Sequence, residues 1–138
     1  MKESLRISVP SHPKYLSLLR SVTARMAELC GFGEEVSENI KLAVDEACTN
    51  VIRHAYQGDT SKKIVLQYTI TATQFMIILE DRGQKADIRS IQGRDLEDIR
   101  PGGLGVHFIR RIFDVVEYHE KKKNGNRLIL RKHLGREK

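Results

Sequence analysis

The sequence contains no tryptophan, and aromatic residues fill only 6% of its 138 positions. Nucleic-acid surfaces combine basic groups with aromatic stacking platforms, so this scarcity bears on how the formal charge of +6 is read. The excess is confined to one end. Eight Lys and Arg stand from Lys121 onward against Glu137 alone, and the rest of the chain carries 16 basic and 17 acidic residues. That is a local basic segment, not a charged face, and direct nucleic-acid binding is not expected. Long apolar runs are missing too: none approaches the ~20 residues that span a bilayer. The N-terminus lacks the charged-then-apolar order of a secretory signal. With only Cys30 and Cys48 present, each within a helical apolar pattern, two reduced thiols in a cytoplasmic protein are expected in preference to a disulfide. No His or Cys falls at zinc-site spacing. No repeat or linker divides the chain, and 40% hydrophobic with 30% charged residues fits one soluble domain with its own core.

What is present can be taken in chain order. Residues 5–9 alternate as a short strand ended by Pro10. Ser11 offers a helix cap with Pro13 near the first turn. Tyr15, Leu18, Leu19, Val22, Met26 and Leu29 then recur at helical spacing, up to a C-cap at Gly31. A second helical pattern runs over about 34–56. At ~100° per residue, Val36, Ile40, Ala43, Val44, Ala47 and Val51 share its apolar face. Glu46 and Asn50, at i and i+4, border that stripe side by side. A carboxylate and an amide there suit a base and a metal-ligating oxygen, or simply a solvated border. Residues 63–71 alternate as a strand, and 74–80 read as a buried strand through Phe75, Met76, Ile77, Ile78 and Leu79.

Periodicity stops over residues 81–101, a length that in a compact domain marks a functional loop or a disordered one; short helical turns over 87–91 and 96–99 fit within it. A helix over about 105–113 follows, then strands over 114–120 and 127–132 around Asn124-Gly125, a hairpin signal. The order predicts an α+β fold: a two-layer sandwich with a mixed, mostly antiparallel sheet and helices on one face. Residues 1–138 form a single domain, with a lid loop at about 82–102 and a basic tail at about 133–138.

Two motifs invite chemistry. Asp81-Arg82-Gly83 follows the most apolar strand, where a carboxylate could start a turn or accept a hydrogen bond from a ligand amine such as that of adenine. Gly102-Gly103-Leu104-Gly105 precedes a helix, where glycines allow close phosphate approach to free N–H groups and the positive dipole end; a flexible helix entry is the plainer reading. It lacks the Lys-Ser/Thr ending of a P-loop, and Phe108 stands where a dinucleotide fingerprint would have its third glycine. Lys121, Lys122 and Lys123 beside the hairpin tip read as an edge-protecting charge run.

Together and in this order, these stretches resemble the GHKL ATPase superfamily with its Bergerat nucleotide-binding fold, and within it the anti-sigma factor serine/threonine kinase branch. Glu46-Ala47-Cys48-Thr49-Asn50-Val51-Ile52-Arg53-His54-Ala55-Tyr56 is similar to that branch's N-box, and Asp81-Arg82-Gly83 to the start of its G1 box. Gly102-Gly103-Leu104-Gly105-Val106, through Ile109-Arg110 to Asp114-Val115-Val116-Glu117-Tyr118, resembles its G2 region and following strand. Asn124-Gly125-Asn126-Arg127-Leu128 resembles its closing hairpin.

The resemblance implies that Glu46 is the general base acting on the phosphoryl acceptor and that Asn50 ligates Mg²⁺ bridging the phosphates of ATP. It implies that Asp81 binds the adenine amino group, with Gly83 allowing close approach. Gly103, Leu104, Gly105 and Val106 would offer backbone N–H groups to phosphate, and His54 would line the site. Lys85 stands where the G1 box usually has its second glycine, and Asn126 where a threonine is common; both count among the nucleotide-binding positions. The implied function is phosphorylation of a Ser or Thr on a STAS-domain anti-anti-sigma protein, with sequestration of a sigma factor or similar regulatory partner, by a homodimer. A non-catalytic partner-switching module of the same fold, with weakened ATP binding, is the alternative that Lys85 motivates. A detached histidine-kinase catalytic domain is a further one.

Overall fold

The computed structural model describes residues 2–85, 103–119 and 124–135, of which residues 103–106 by backbone alone. The elements follow the expected order. They are β1 (Glu3–Pro10), a 3₁₀ turn (Pro13–Tyr15), α1 (Leu16–Leu29), α2 (Glu34–Asn50) and a π-helical turn (Val51–Ala55). β2 (Lys63–Ile70), β3 (Gln74–Asp81), α3 (Gly103–Ile112), β4 (Val115–Tyr118) and β5 (Asn126–His133) complete the fold. The proposed lid from residue 86, its helical turns, Lys121–Lys123 and the last three tail residues lie outside the described residues.

The strands form one sheet in the order β1-β2-β3-β5-β4. Every described neighbour pair is antiparallel, so the mixed sheet expected from the sequence is an antiparallel one. α1, α2 and α3 form the second layer, with α2 packed between the other two. β3 explains the geometry. Phe75, Ile77, Leu79 and Asp81 are buried, while Met76, Ile78 and Glu80 between them are only half-buried. The expectation of a strand buried on both faces is therefore corrected: helices cover one face. The other carries the cross-strand pair Ile78 and Ile129, flanked by ion pairs Glu80–Arg127 at 3.0 Å and Glu117–Arg131 at 3.7 Å.

Between the layers, Leu66, Tyr68, Phe75, Ile77 and Leu130 from the sheet meet Leu19, Ile40, Val44 and Cys48 from the helices. Burying such side chains contributes ~1.5–3 kcal/mol each. The one phenol that this core swallows whole is paired: Tyr68 Oη and Thr23 Oγ1 lie 2.6 Å apart. The pairing accommodates Thr23 in the buried stripe of α1 beside Leu19 and Ala27, while Leu18 and Leu29 are exposed at 46% and 59%, contrary to a stripe counted on apolar residues alone. Cys30 and Cys48 are buried and unbridged.

α1 ends as expected at Gly31, whose φ of 96° lets Gly31 N–H donate to Glu28 O and Phe32 N–H to Ala27 O, the paired bonds of a Schellman cap. Arg20 and Asp45, 3.0 Å apart, tie the two helices at their flank. Ser11 does not cap a helix. It is fully buried, donating to Asp59 O and accepting from Lys62 N–H, while His12 Nδ1 accepts Lys14 N–H to cap the 3₁₀ turn. No helix among the described residues is long and apolar enough to cross a membrane.

Candidate active site

The site grows from the end of α2. Up to Asn50 the backbone is α-helical; from Val51 it widens, and Tyr56 N–H reaches back five residues to Val51 O at 2.9 Å. A π-turn inserts one residue into the helical register. Val51 and Ile52 are consequently both buried, and the turn closes with Gln57 at φ 50° and Gly58 at φ 83°. Glu46 and Asn50 stand one turn apart on the half-buried border, as their spacing requires. Asn50 Oδ1 is buried and has no hydrogen-bond partner among the described residues. A buried carbonyl oxygen without a donor costs about 1–3 kcal/mol, which a hard cation or a ligand donor would offset. His54 is exposed on the π-turn.

The carbonyl of Ala55, on that turn, accepts Gln84 N–H at 2.8 Å, and Gln57 Nε2 donates to Gln84 Oε1 at 3.0 Å. The phenol of Tyr56 donates to Lys63 O and accepts Arg82 N–H at 2.9 Å. Burial is the main cause that raises its pKa, and the charge of Asp81 adds to it. Residues 82–84, at the start of the expected lid, are thus fastened to the rest of the fold. Gly83 is required by this fastening: a Cβ there would lie 2.2 Å from Ala55 O. The close approach at Gly83 is therefore already made by the chain's own turn.

Asp81 ends β3 at 4% exposure, directly opposite Asn126 in the register. Its Oδ1 accepts Gly83 N–H at 2.8 Å and Asn126 Nδ2 at 3.0 Å. Gly125, at φ 78°, lets β5 begin against this corner; a Cβ on it would lie 2.0 Å from Asp81 O. His119 N–H donates to Arg127 O at 2.8 Å, pairing the end of β4 with the start of β5. Burial and then the negative charge of Asp81 push the Tyr118 phenol up to about 12, partly offset by Arg110 on α3.

The structure therefore brings Asp81, Gly83 and Asn126 into one hydrogen-bonded cluster and ties it, through Ala55 and Tyr56, to the turn after Asn50. Gly103, Leu104, Gly105 and Val106 form the first turn of α3, where backbone N–H groups have no intrahelical acceptor, and α3 packs on α2. The helix begins two residues earlier than the sequence suggested. Lys85 is exposed at the limit of the described segment. Tyr56, Gln84 and Gly125 were missed as members of this site. An aromatic closing the helical run and an Asn-Gly beside Asn126 were the available signals.

Comparison with known proteins fits this geometry. The family model described as a histidine kinase-like ATPase domain matches residues 9–132. The serine-protein kinase RsbW of Listeria monocytogenes serotype 4a is 31% identical over 127 residues, covering 86% of this chain and 81% of that protein. The serine-protein kinase RsbW of Bacillus pumilus is 26% identical over 144 residues, covering 97% and 88%. Among solved structures, the RsbU and RsbW domains of Rv1364c from Mycobacterium tuberculosis superpose with a TM-score of 0.67 at 17% identity, over 94% of this chain and 31% of that one. At that identity the last likeness speaks for the fold alone. On the family match and the Listeria relative, the chain belongs to the histidine kinase-like ATPase family, in the branch of the serine-protein kinases RsbW.

Proposed function

We propose that this chain is a Mg-ATP-dependent protein serine/threonine kinase and anti-sigma factor, with its nucleotide held between Asp81 and the end of α2. The observation that carries the reading is the pair of buried acceptors. Asp81 is an acceptor-only carboxylate at one end, and Asn50 Oδ1 is an oxygen without a donor among the described residues at the other. The first fits an adenine amino group. The second fits a hard cation, which takes oxygen ligands; bound Mg²⁺ would neutralise charge on the phosphates. Phosphoryl transfer depends on positioning and charge neutralisation more than on covalent help. In that scheme Glu46 accepts the proton of a serine or threonine hydroxyl, whose oxygen bonds to the γ-phosphorus as the bond to the β,γ-bridging oxygen breaks and ADP leaves. The backbone N–H groups of Gly103, Leu104, Gly105 and Val106 hold phosphate oxygens.

The relatives' name, serine-protein kinase RsbW, supports a serine acceptor. Family resemblance supports a STAS-domain antagonist as the bearer of that serine, and a sigma factor or a similar regulator as the competing partner. A homodimer acting in the cytoplasm completes the reading, with His54 and Lys85 at the rim of the site.

Calorimetry with Mg-ATP on the wild type and on Asp81→Asn tests the placement. The expected result is a Kd below about 1 mM that the substitution weakens at least tenfold. No binding up to millimolar ATP overturns it in favour of a non-catalytic module. Transfer of label from γ-³²P-ATP to an acid-stable product, lost in Glu46→Gln, tests the chemistry; an acid-labile product would mark a histidine acceptor instead.

A further inference from the structure

Asn126 does something more definite than line the pocket. Its Nδ2 carries two hydrogens and faces three acceptors: Asp81 Oδ1 at 3.0 Å, Asp81 Oδ2 at 3.3 Å and Gln84 O at 2.8 Å. Turning the amide over would set its own oxygen against all three, so this network fixes its orientation. Gly83 N–H adds a further donor to Asp81 Oδ1 at 2.8 Å. We propose that Asn126 is the positioning residue that makes this site select a 6-aminopurine over a 6-oxopurine, by pinning the Asp81 carboxylate as a fixed acceptor.

The inference rests on the reading of Asp81 as the base-binding group. Its chemistry is that of donors and acceptors. An ionised carboxylate accepts only, so it suits an exocyclic amino group and repels a carbonyl. A protonated carboxyl can donate, so it would suit the carbonyl as well. Hydrogen bonds from Asn126 and from the Gly83 amide favour the ionised form. Asp81 and Asn126 are 4% and 9% exposed, so water does little to blur the distinction. Among the described residues, the titratable or charged groups around this corner include Tyr56 from the π-turn, Tyr118 from β4, Arg82 and, beyond Tyr118, Arg110 from α3. Both phenols are held above their ordinary range, chiefly by burial.

Asn126→Asp keeps the shape and replaces the amide donor by a second carboxyl. Two adjacent carboxyl groups share a proton as pH falls. Calorimetry with ATP and with ITP, its 6-oxo counterpart, at pH 5.5 and pH 8, reads the effect. The wild type is expected to prefer ATP by roughly 100-fold or more at both values. Asn126→Asp is expected to bind both weakly at pH 8. At pH 5.5 it should regain affinity, with the preference reduced to within about tenfold. An undiminished, pH-independent preference in that variant overturns the proposal while leaving the site where it is. A wild type that does not bind ATP, or binds it unaffected by Asp81→Asn, instead overturns the placement on which the proposal rests.

A readout without nucleotide stands beside this. In the free wild-type protein the Asn126 side-chain amide protons should exchange slowly, and Asp81→Asn should shift their NMR resonances and speed their exchange. Unchanged resonances overturn the proposal. Should Asn126→Asp fail to fold, Asn126→Thr, which keeps one hydroxyl donor, is expected to retain ATP preference at a reduced ratio; an unreduced ratio counts against the amide.

Discussion

At the residue scale, the site is built of atoms that pair across the fold and of one that has no partner among the described residues. Tyr56 is the first kind. Its hydroxyl bridges Lys63 O and Arg82 N–H, so Tyr56→Phe strands two backbone groups at once. The expected cost is about 1–3 kcal/mol, read as a lower urea midpoint, together with weaker nucleotide binding because Arg82 adjoins Asp81. Asn50 is the second kind. Its Oδ1, buried and without a partner among the described residues, is a burden to the nucleotide-free protein, so Asn50→Ala should leave that protein's stability within about 1 kcal/mol, or raise it. The same change should remove the dependence of nucleotide affinity on Mg²⁺. Opposite outcomes in thermal denaturation and in calorimetry are the check. Glu46, Asn50 and Asp81 stand out in the sequence as candidates, the first two by spacing and the third by its place at a strand end, while the roles proposed for them come from the family resemblance. Gln84 does not, and Tyr56 does so only as an aromatic closing the helical run, because their roles lie in bonds to atoms far along the chain.

At the scale of elements, the π-turn and the start of β5 carry most of what helical and strand periodicity could not supply. A 100° wheel runs smoothly through Asn50 and then fails, because the next five residues follow a wider turn. Counting apolar residues likewise put Leu18 and Leu29 into the core and left Thr23 out. Thr23 is accommodated there by its hydrogen bond with Tyr68 on the other layer. Gly125 tests the element directly. It combines positive φ with a Cβ position only 2.0 Å from Asp81 O. Gly125→Ala should therefore cost about 3 kcal/mol or more, the sum of left-handed backbone strain and overpacking. Chemical denaturation would show it. Little change in midpoint would mean that β5 can start elsewhere.

At the scale of the whole molecule, the core keeps weak acids neutral. Burial and, secondarily, the nearby Asp45 charge push the Cys48 thiol up to about 12 from 9.0. Burial chiefly raises the Tyr68 and Tyr118 phenols from 10.0 as well. Each folded value lies above its unfolded one, so the unfolded chain releases these protons first and the fold loses stability as pH rises. Stability should be level near pH 8, begin to fall above about pH 9 and fall further beyond pH 10, as measured by urea midpoints across that range. Cys48 should also resist thiol reagents until the protein unfolds. The layered architecture and element order could be read from periodicity, because amphipathic helices and alternating strands must bury their apolar sides somewhere. The antiparallel order β1-β2-β3-β5-β4 and the half-open face behind Met76 and Ile78 could not. They depend on which strands meet, and a local pattern does not encode that.

The inserted residue in the π-turn has one further consequence, for length. Deleting a residue between Asn50 and Tyr56 would let the i to i+4 ladder of α2 run on without a break. Local hydrogen bonding would improve, and Tyr56 would swing by about 100° away from Lys63 and Arg82. A chain one residue shorter would make the better helix and the poorer protein.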